Sequence, residues 1–182
     1  MRLIVLTEEL SMAELLKIIL PKVLPKGSEP PLVIPHNGKR DLEKSIPRKL
    51  RAWESPDDKF IIVHDQDSSD CHRLKANLLS LCGGARNDYL VRIVCDELEA
   101  WYFGDLAAVS KAYGRDCTKL AAKRKYRQPD AIVNAKSELR KVISDYQPID
   151  GAVRIAKHMD IDRNTSPSFN VFINGVRSLC DA

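Results

Sequence analysis

The chain has 182 residues, 44% of them hydrophobic and 30% charged, which supports a packed core and excludes a disordered polypeptide. Its 29 Lys and Arg against 25 Asp and Glu give a formal net charge of +4, too small to mark a nucleic-acid binder from composition alone. No apolar run approaches a membrane span, Glu8 and Glu9 interrupt the first one before any leader cleavage site, and five scattered cysteines lack a Cys-x-x-Cys pair, so a cytoplasmic protein with reduced thiols is expected.

Leu3–Thr7 is a short apolar run with β-branched Ile4, Val5 and Thr7, read as a buried strand. Ser11-Met12-Ala13-Glu14 has the Ser-x-x-Glu form of a capping box. It predicts a helix with Leu15, Leu16, Ile18, Ile19 and Val23 apolar, bent or ended at Pro21. Leu32–Ile34, flanked by prolines, reads as a second strand. Because Pro47 is unfavourable inside a helix, Ser45 is expected to cap a short one from Ile46 to Trp53, with Ile46, Leu50 and Trp53 inward. Phe60–Val63 predicts a third strand, followed by the polar turn His64–Asp70. Leu74, Leu78, Leu79 and Leu81 then keep a helical period up to Gly83-Gly84, and Tyr89–Cys95 predicts a fourth strand.

This alternation predicts an α/β fold, a mostly parallel four-stranded sheet with helices on both faces. Beyond Glu97 the pattern is helical, near Leu98–Phe103, Leu106–Tyr113, Ala135–Ile143, Ile149–His158 and Phe169–Leu179. Residues 1–106 are expected to form the α/β core and 107–182 a helical extension on or beside it, with one domain over 1–182 as the alternative. No GxGxxG or GxxxxGK[ST] segment occurs, which excludes dinucleotide and P-loop nucleotide binding.

Acids cluster where the predicted strands end: Glu8 and Glu9 after the first, Asp65 and Asp67 after the third, Asp96, Glu97 and Glu99 after the fourth. Ligands bind outside the carboxyl ends of strands in open α/β sheets. If strand geometry persists, Asp65 and Asp67 point to the same side, where they repel unless a cation lies between them. Oxygen ligands without a His or Cys cluster favour Mg²⁺ or Mn²⁺ over zinc. The plainer reading of Ser68, Ser69 and Asp70 is turn and helix capping. Asp160-Ile161-Asp162 repeats the Asp-x-Asp pattern with no strand before it and is discounted. Trp53 and Trp101 read as core contacts, and His72 as a solvent-facing helix residue. Basic residues gather in two runs, one including Lys39, Arg40 and Arg48, the other Lys123 and Arg124. With Arg73 just beyond the acids, they could meet phosphates or simply form solvated helix faces.

A Glu after the first strand and an Asp-x-Asp after a later parallel strand form the acid pattern of the TOPRIM fold of topoisomerases, primases and nucleases. More closely, the chain resembles the bacterial family called domain of unknown function 4276, a TOPRIM-like group. The resemblance is carried by LIVLTEELSMAELL (3–16), NGKRDLEKSIPRKLRAW (37–53), FIIVHDQDSSDCHRLK (60–75), VRIVCDELEAWYFGDL (91–106) and SPSFNVFINGVRSL (166–179). It implies a divalent-metal centre with Glu8 as the catalytic acid or base and Asp65 and Asp67 as the Mg²⁺ or Mn²⁺ pair. Glu9, Asp70, Glu97 and Glu99 would stand around that centre or hold a second ion. The implied activity is phosphodiester handling on DNA or RNA as a nuclease, with partner ATPases and phage defence among the associations of some relatives. Glu9 and Ser68-Ser69-Asp70 replace glycines often found at those places, which keeps a non-cleaving module of a partner ATPase as the alternative. A third reading is a phosphatase with Asp65 as nucleophile and Asp67 as acid.

Overall fold

The computed structural model describes residues 1–84 and 88–181. The strands are β1 (Leu3–Thr7), β2 (Leu32–Pro35), β3 (Lys59–Asp65) and β4 (Tyr89–Val94), and they form one parallel sheet in the order β2-β1-β3-β4. In register, Val5 lies opposite Val33 on one side and Ile61 on the other, and Ile62 lies opposite Val91. Alternate residues serve opposite faces. Leu3, Val5, Ile61 and Val63 face α1 (Leu10–Val23) and the C-terminal helices. Ile4, Leu6, Phe60 and Ile62 pack on α2 (Lys39–Ala52) and α3 (Cys71–Cys82). Burial on both faces is why β1 and β3 read as continuous apolar runs instead of alternating ones.

The five helices after β4 are α4 (Glu99–Phe103), α5 (Leu106–Tyr113), α6 (Ala135–Val142), α7 (Pro148–His158) and α8 (Pro167–Asp181), with short 3-10 turns between Thr118 and Ala131. They share one apolar core with α1 and a sheet face. Trp101 is at its centre, fully buried, with its ring centroid 5.2 Å from those of both Phe169 and Phe172. No helix among the described residues is long and apolar enough to cross a membrane.

Two helix starts differ from the sequence expectation. Helix α2 begins at Lys39, not Ile46, and runs through Pro47. An interior proline costs about 3 kcal/mol. Leu42, Ile46 and Leu50, at helical spacing and all buried, each contribute about 1.5–3 kcal/mol, so burial of the stripe outweighs the lost hydrogen bond. Helix α1 begins at Leu10 with Glu9 at its N-cap, and the capping box is not formed. Ser11, Met12 and Ala13 are buried, which draws this first turn into the helix. Ser11 Oγ donates instead to Glu9 Oε2 at 3.4 Å, and Glu14 pairs with Lys17 at 2.6 Å.

From β1 the chain crosses to β2 on one side, and from β3 to β4 on the other, so strand order reverses between β1 and β3. A crevice outside the carboxyl ends of these two strands is the expected ligand site of such a sheet.

Candidate functional site

Glu8 and Asp65 stand at that crevice. Thr7, the last residue of β1, is buried, and its carbonyl accepts hydrogen bonds from His36 N at 3.0 Å and His36 Nδ1 at 2.9 Å. The Glu8 carbonyl accepts from Gly38 N at 3.0 Å, which joins the end of β1 to the start of α2. Gly38, with φ 87, makes this turn in a region that favours glycine. The Glu8 carboxylate reaches back over the sheet, with Oε2 3.0 Å from His64 Nδ1. That nitrogen is also within hydrogen-bond distance of the Asp65 carbonyl, so His64 stands between the buried Glu8 Oε2 and the end of β3. Burial works against a charged His64, but the Glu8 carboxylate outweighs it and the histidine's pKa is raised.

Asp65 is the last residue of β3. Leu98 N donates to its Oδ2 at 3.3 Å, while Oδ1 is buried with no hydrogen-bond partner among the described residues. Burial first, then the charges of Glu99 and Glu8, push its carboxyl well above the usual carboxylate range. Asp67 stands in the left-handed region with φ 50, so the strand alternation expected to align it with Asp65 stops short of it. The turn is closed by Ser69 N donating to the Gln66 carbonyl at 3.0 Å. Asp67 still belongs to the same electrostatic group, since burial and then Glu8 raise its pKa.

The acids after β4 divide by task. Asp96 Oδ2 accepts from Ala135 N at 2.9 Å and Glu97 Oε2 from Lys136 N at 2.7 Å, so both cap the start of α6. Carboxylates favour this position because the free N–H groups and the helix dipole attract negative charge. Glu99 is 1% exposed and accepts from the Tyr146 hydroxyl at 2.7 Å, leaving Oε2 buried and without a hydrogen bond. Its pKa is raised by burial, against the pull of Tyr146 and Lys136. Gly151 on α7 lets this tyrosine approach, since a Cβ there would lie 2.7 Å from Tyr146 Cδ2. Glu9 is exposed and 3.9 Å from Lys136 Nζ, and Asp70 caps α3 by accepting from Arg73 N at 2.8 Å.

Lys136, missed in the sequence, is the counter-charge of this group. Its Nζ is 3.8 Å from Glu97 Oε1, and although burial opposes its charge, Glu99, Glu9, Glu97 and Asp65 raise its pKa. A lysine in the first turn of a helix is electrostatically adverse unless acids face it, and that misplacement was the one available signal. Tyr146 gave none.

Among the described residues no three His, Cys, Asp or Glu side chains form a ready-made cation cage. The expected phosphate-binding residues separate. Lys39 and Arg73 line one cavity with Ser69, Asp70, Leu74 and Asn77. Arg40 is exposed, and Arg48 lines a different cavity with Trp53 and donates Nε to the Lys44 carbonyl at 3.0 Å. Lys123 and Arg124 are exposed on the 3-10 turns, but their run is partly committed elsewhere: Lys125 Nζ pairs with Glu138 at 2.6 Å and Arg115 donates to the Val142 carbonyl at 2.8 Å.

The four-stranded parallel sheet and its helical flanks make an α/β domain with acids at the rim between β1 and β3. The chain belongs to the family described as Domain of unknown function (DUF4276), which it matches over residues 7–177. Its fold is similar to the C-terminal region of the Burkholderia pseudomallei OLD protein, with 17% identity, a TM-score of 0.54 and coverage of 98% of each chain. It is similar likewise to the C-terminal region of the Xanthomonas campestris pv. campestris OLD protein, with 15% identity, a TM-score of 0.55, and 99% of this chain and 96% of that one covered. Among curated proteins none matches.

Proposed function

We propose that the chain is a Mg²⁺- or Mn²⁺-dependent phosphodiester-handling enzyme, a TOPRIM-like nuclease acting on DNA or RNA. The observation that carries this reading is the meeting of Glu8 and Asp65 at the switch point of the sheet. Asp65 Oδ1 is buried without a hydrogen bond, Glu8 Oε2 is buried against His64, and Asp67 adds charge beside them. Burying the Asp65 oxygen unpaired costs free energy that a bound cation would offset. Mg²⁺ keeps several waters and needs only one or two carboxylates directly, so the absence of a three-ligand cage is compatible with it.

Asp65 and Asp67 would hold the ion, with Glu8 beside them. When bound, it would polarise a phosphoryl oxygen and neutralise charge on the transferring group. Glu8 would accept the proton of an attacking water, with His64, 3.0 Å away and 1% exposed, holding that carboxylate in orientation. Lys136 limits the mutual repulsion of the acids through Glu9, Glu97 and Glu99. The test is cleavage of an end-labelled oligonucleotide in Mn²⁺ or Mg²⁺. Asp65→Asn and Glu8→Gln should each lower the rate at least 100-fold, the scale of losing a positioned acid–base group. Equal rates in wild type and both variants would exclude it.

A second reading, a non-catalytic module serving a partner ATPase, is favoured by two facts: no three-ligand set is preassembled among the described residues, and the similar structures are C-terminal regions of longer proteins. It predicts no thermal shift with Mn²⁺. The phosphatase reading is weaker, because Asp65 Oδ2 is occupied by the Leu98 N–H and Asp67 leaves the strand in a left-handed turn.

A further inference from the structure

The N-terminal ends of α2 and α3 open on a shared cavity of about 410 Å³, lined by Lys39, Ser69, Asp70, Arg73, Leu74 and Asn77. It adjoins the acid rim, since the Lys39 charge acts on His64 and Ser69 and Asp70 continue the turn that carries Asp67. Lys39 opens a 14-residue helix and Arg73 lies in the first turn of a 12-residue one. Cations are disfavoured at both places by the helix dipole. Neither side chain has an ion-pair partner among the described residues, and the acids at the two helix starts bond backbone instead, Asp41 with Asn37 N and Asp70 with Arg73 N. The cavity's one carboxylate, Asp70, is occupied with the Arg73 backbone N–H, and Asn77 donates to Glu43 behind it. The lining thus sets the Lys39 and Arg73 charges against the one Asp70 carboxylate, with Ser69 and the start of α2, whose N-cap Gly38 supplies no side chain to cap it.

We propose that this cavity holds a phosphate of a polynucleotide adjacent to the one at the acid rim, so that Lys39 and Arg73 set the register of the strand across the site. The inference rests on the phosphodiester reading above and adds which cations meet the backbone and on which side of the acids. A phosphomonoester has no second phosphate to place there, and a chain of phosphates does.

The experiment is fluorescence anisotropy of a labelled single-stranded oligonucleotide in EDTA, from 25 to 200 mM salt, with the full chain. The Lys39→Gln/Arg73→Gln pair should weaken binding several-fold at the lowest salt and reduce the slope of log K against log[salt] by about 1.4, two phosphate contacts at roughly 0.7 each. Lys44→Gln/Arg51→Gln, on the same helix outside the cavity, should leave the slope unchanged. Thermal melts without ligand should show the cavity variant at least as stable as wild type, since it removes two dipole-adverse charges, and this separates lost binding from lost folding. An unchanged slope in the cavity variant, an equal loss in the control pair, or no binding by wild type would overturn the proposal. Failure of the catalytic reading registers separately, as cleavage that survives Asp65→Asn.

Discussion

Asp65 carries the largest conflict between stability and function. It is an acid at a strand end whose Oδ1 has no hydrogen bond, and burial, Glu99 and Glu8 all favour its protonated form. A carboxyl whose folded pKa lies above its unfolded value stabilises the fold fully below the unfolded value and loses that contribution as pH rises through the folded pKa. At neutral pH the residue therefore costs stability. Asp65→Asn keeps an oxygen for the Leu98 N–H and removes the ionisation, so it should raise stability at pH 7 by about 1 kcal/mol, roughly 2–4 °C in the melting temperature, while removing activity. A thermal melt at pH 7 without added metal checks this, and a lower melting temperature would show that Asp65 is a structural carboxylate. Lys136 and Glu97 behave oppositely, each pairing with the other and with the start of α6, and they keep the crowded acids compatible with a folded chain.

At the scale of elements, the C-terminal half is held in part by charged side chains that pair with one another. Glu138 on α6 accepts from the Tyr126 hydroxyl at 2.7 Å and pairs with Lys125 and Lys141 at 2.6 and 3.0 Å, fastening the 3-10 turns to the helix. These partners, Lys125 foremost, bring its pKa down from 4.5 to about 2. The sign is that of a depressed acid: the contribution is complete above the unfolded value and fades as pH falls through the folded one. Stability should therefore decline between about pH 4.5 and 2 through this residue. Glu138→Gln should lower stability at pH 7 by about 1–2 kcal/mol and flatten the decline in that window, read by denaturant titrations at pH 7, 4 and 3. A variant as pH-sensitive as wild type would assign the acid response elsewhere. Arg115 and Lys125, beside Lys123 and Arg124 in the same basic run, thus bind within the fold, whereas in the run on α2 Lys39 opens the cavity beside the acids.

For the whole molecule, the sheet was readable because β1 and β3 are buried on both faces and therefore continuous in apolar residues, and because each strand is followed by a helical period or a polar turn. The start of α2 was not, since Pro47 signals a boundary and only the Leu42, Ile46 and Leu50 stripe, completed by contact with the sheet, overrides it. The acid pattern located Glu8 and Asp65 at the carboxyl ends of β1 and β3, where they stand, because strand ends fix position along the sheet. It did not give the fine arrangement: the left-handed turn at Asp67 breaks the strand spacing, Glu97 leaves for the start of α6, and Lys136 arrives from 39 residues further along than Glu97. Such long-range partners leave no periodic trace. The proposed function reduces to one physical statement, that Asp65 and Asp67, with Glu8 beside them, hold a divalent cation. Electron paramagnetic resonance of free Mn²⁺ titrated with the protein measures it directly. Wild type should deplete the free-ion signal with saturable stoichiometry, and Glu8→Gln and Asp65→Asn should each weaken this at least tenfold; equal depletion by all three proteins, or none by wild type, would contradict a shared cation.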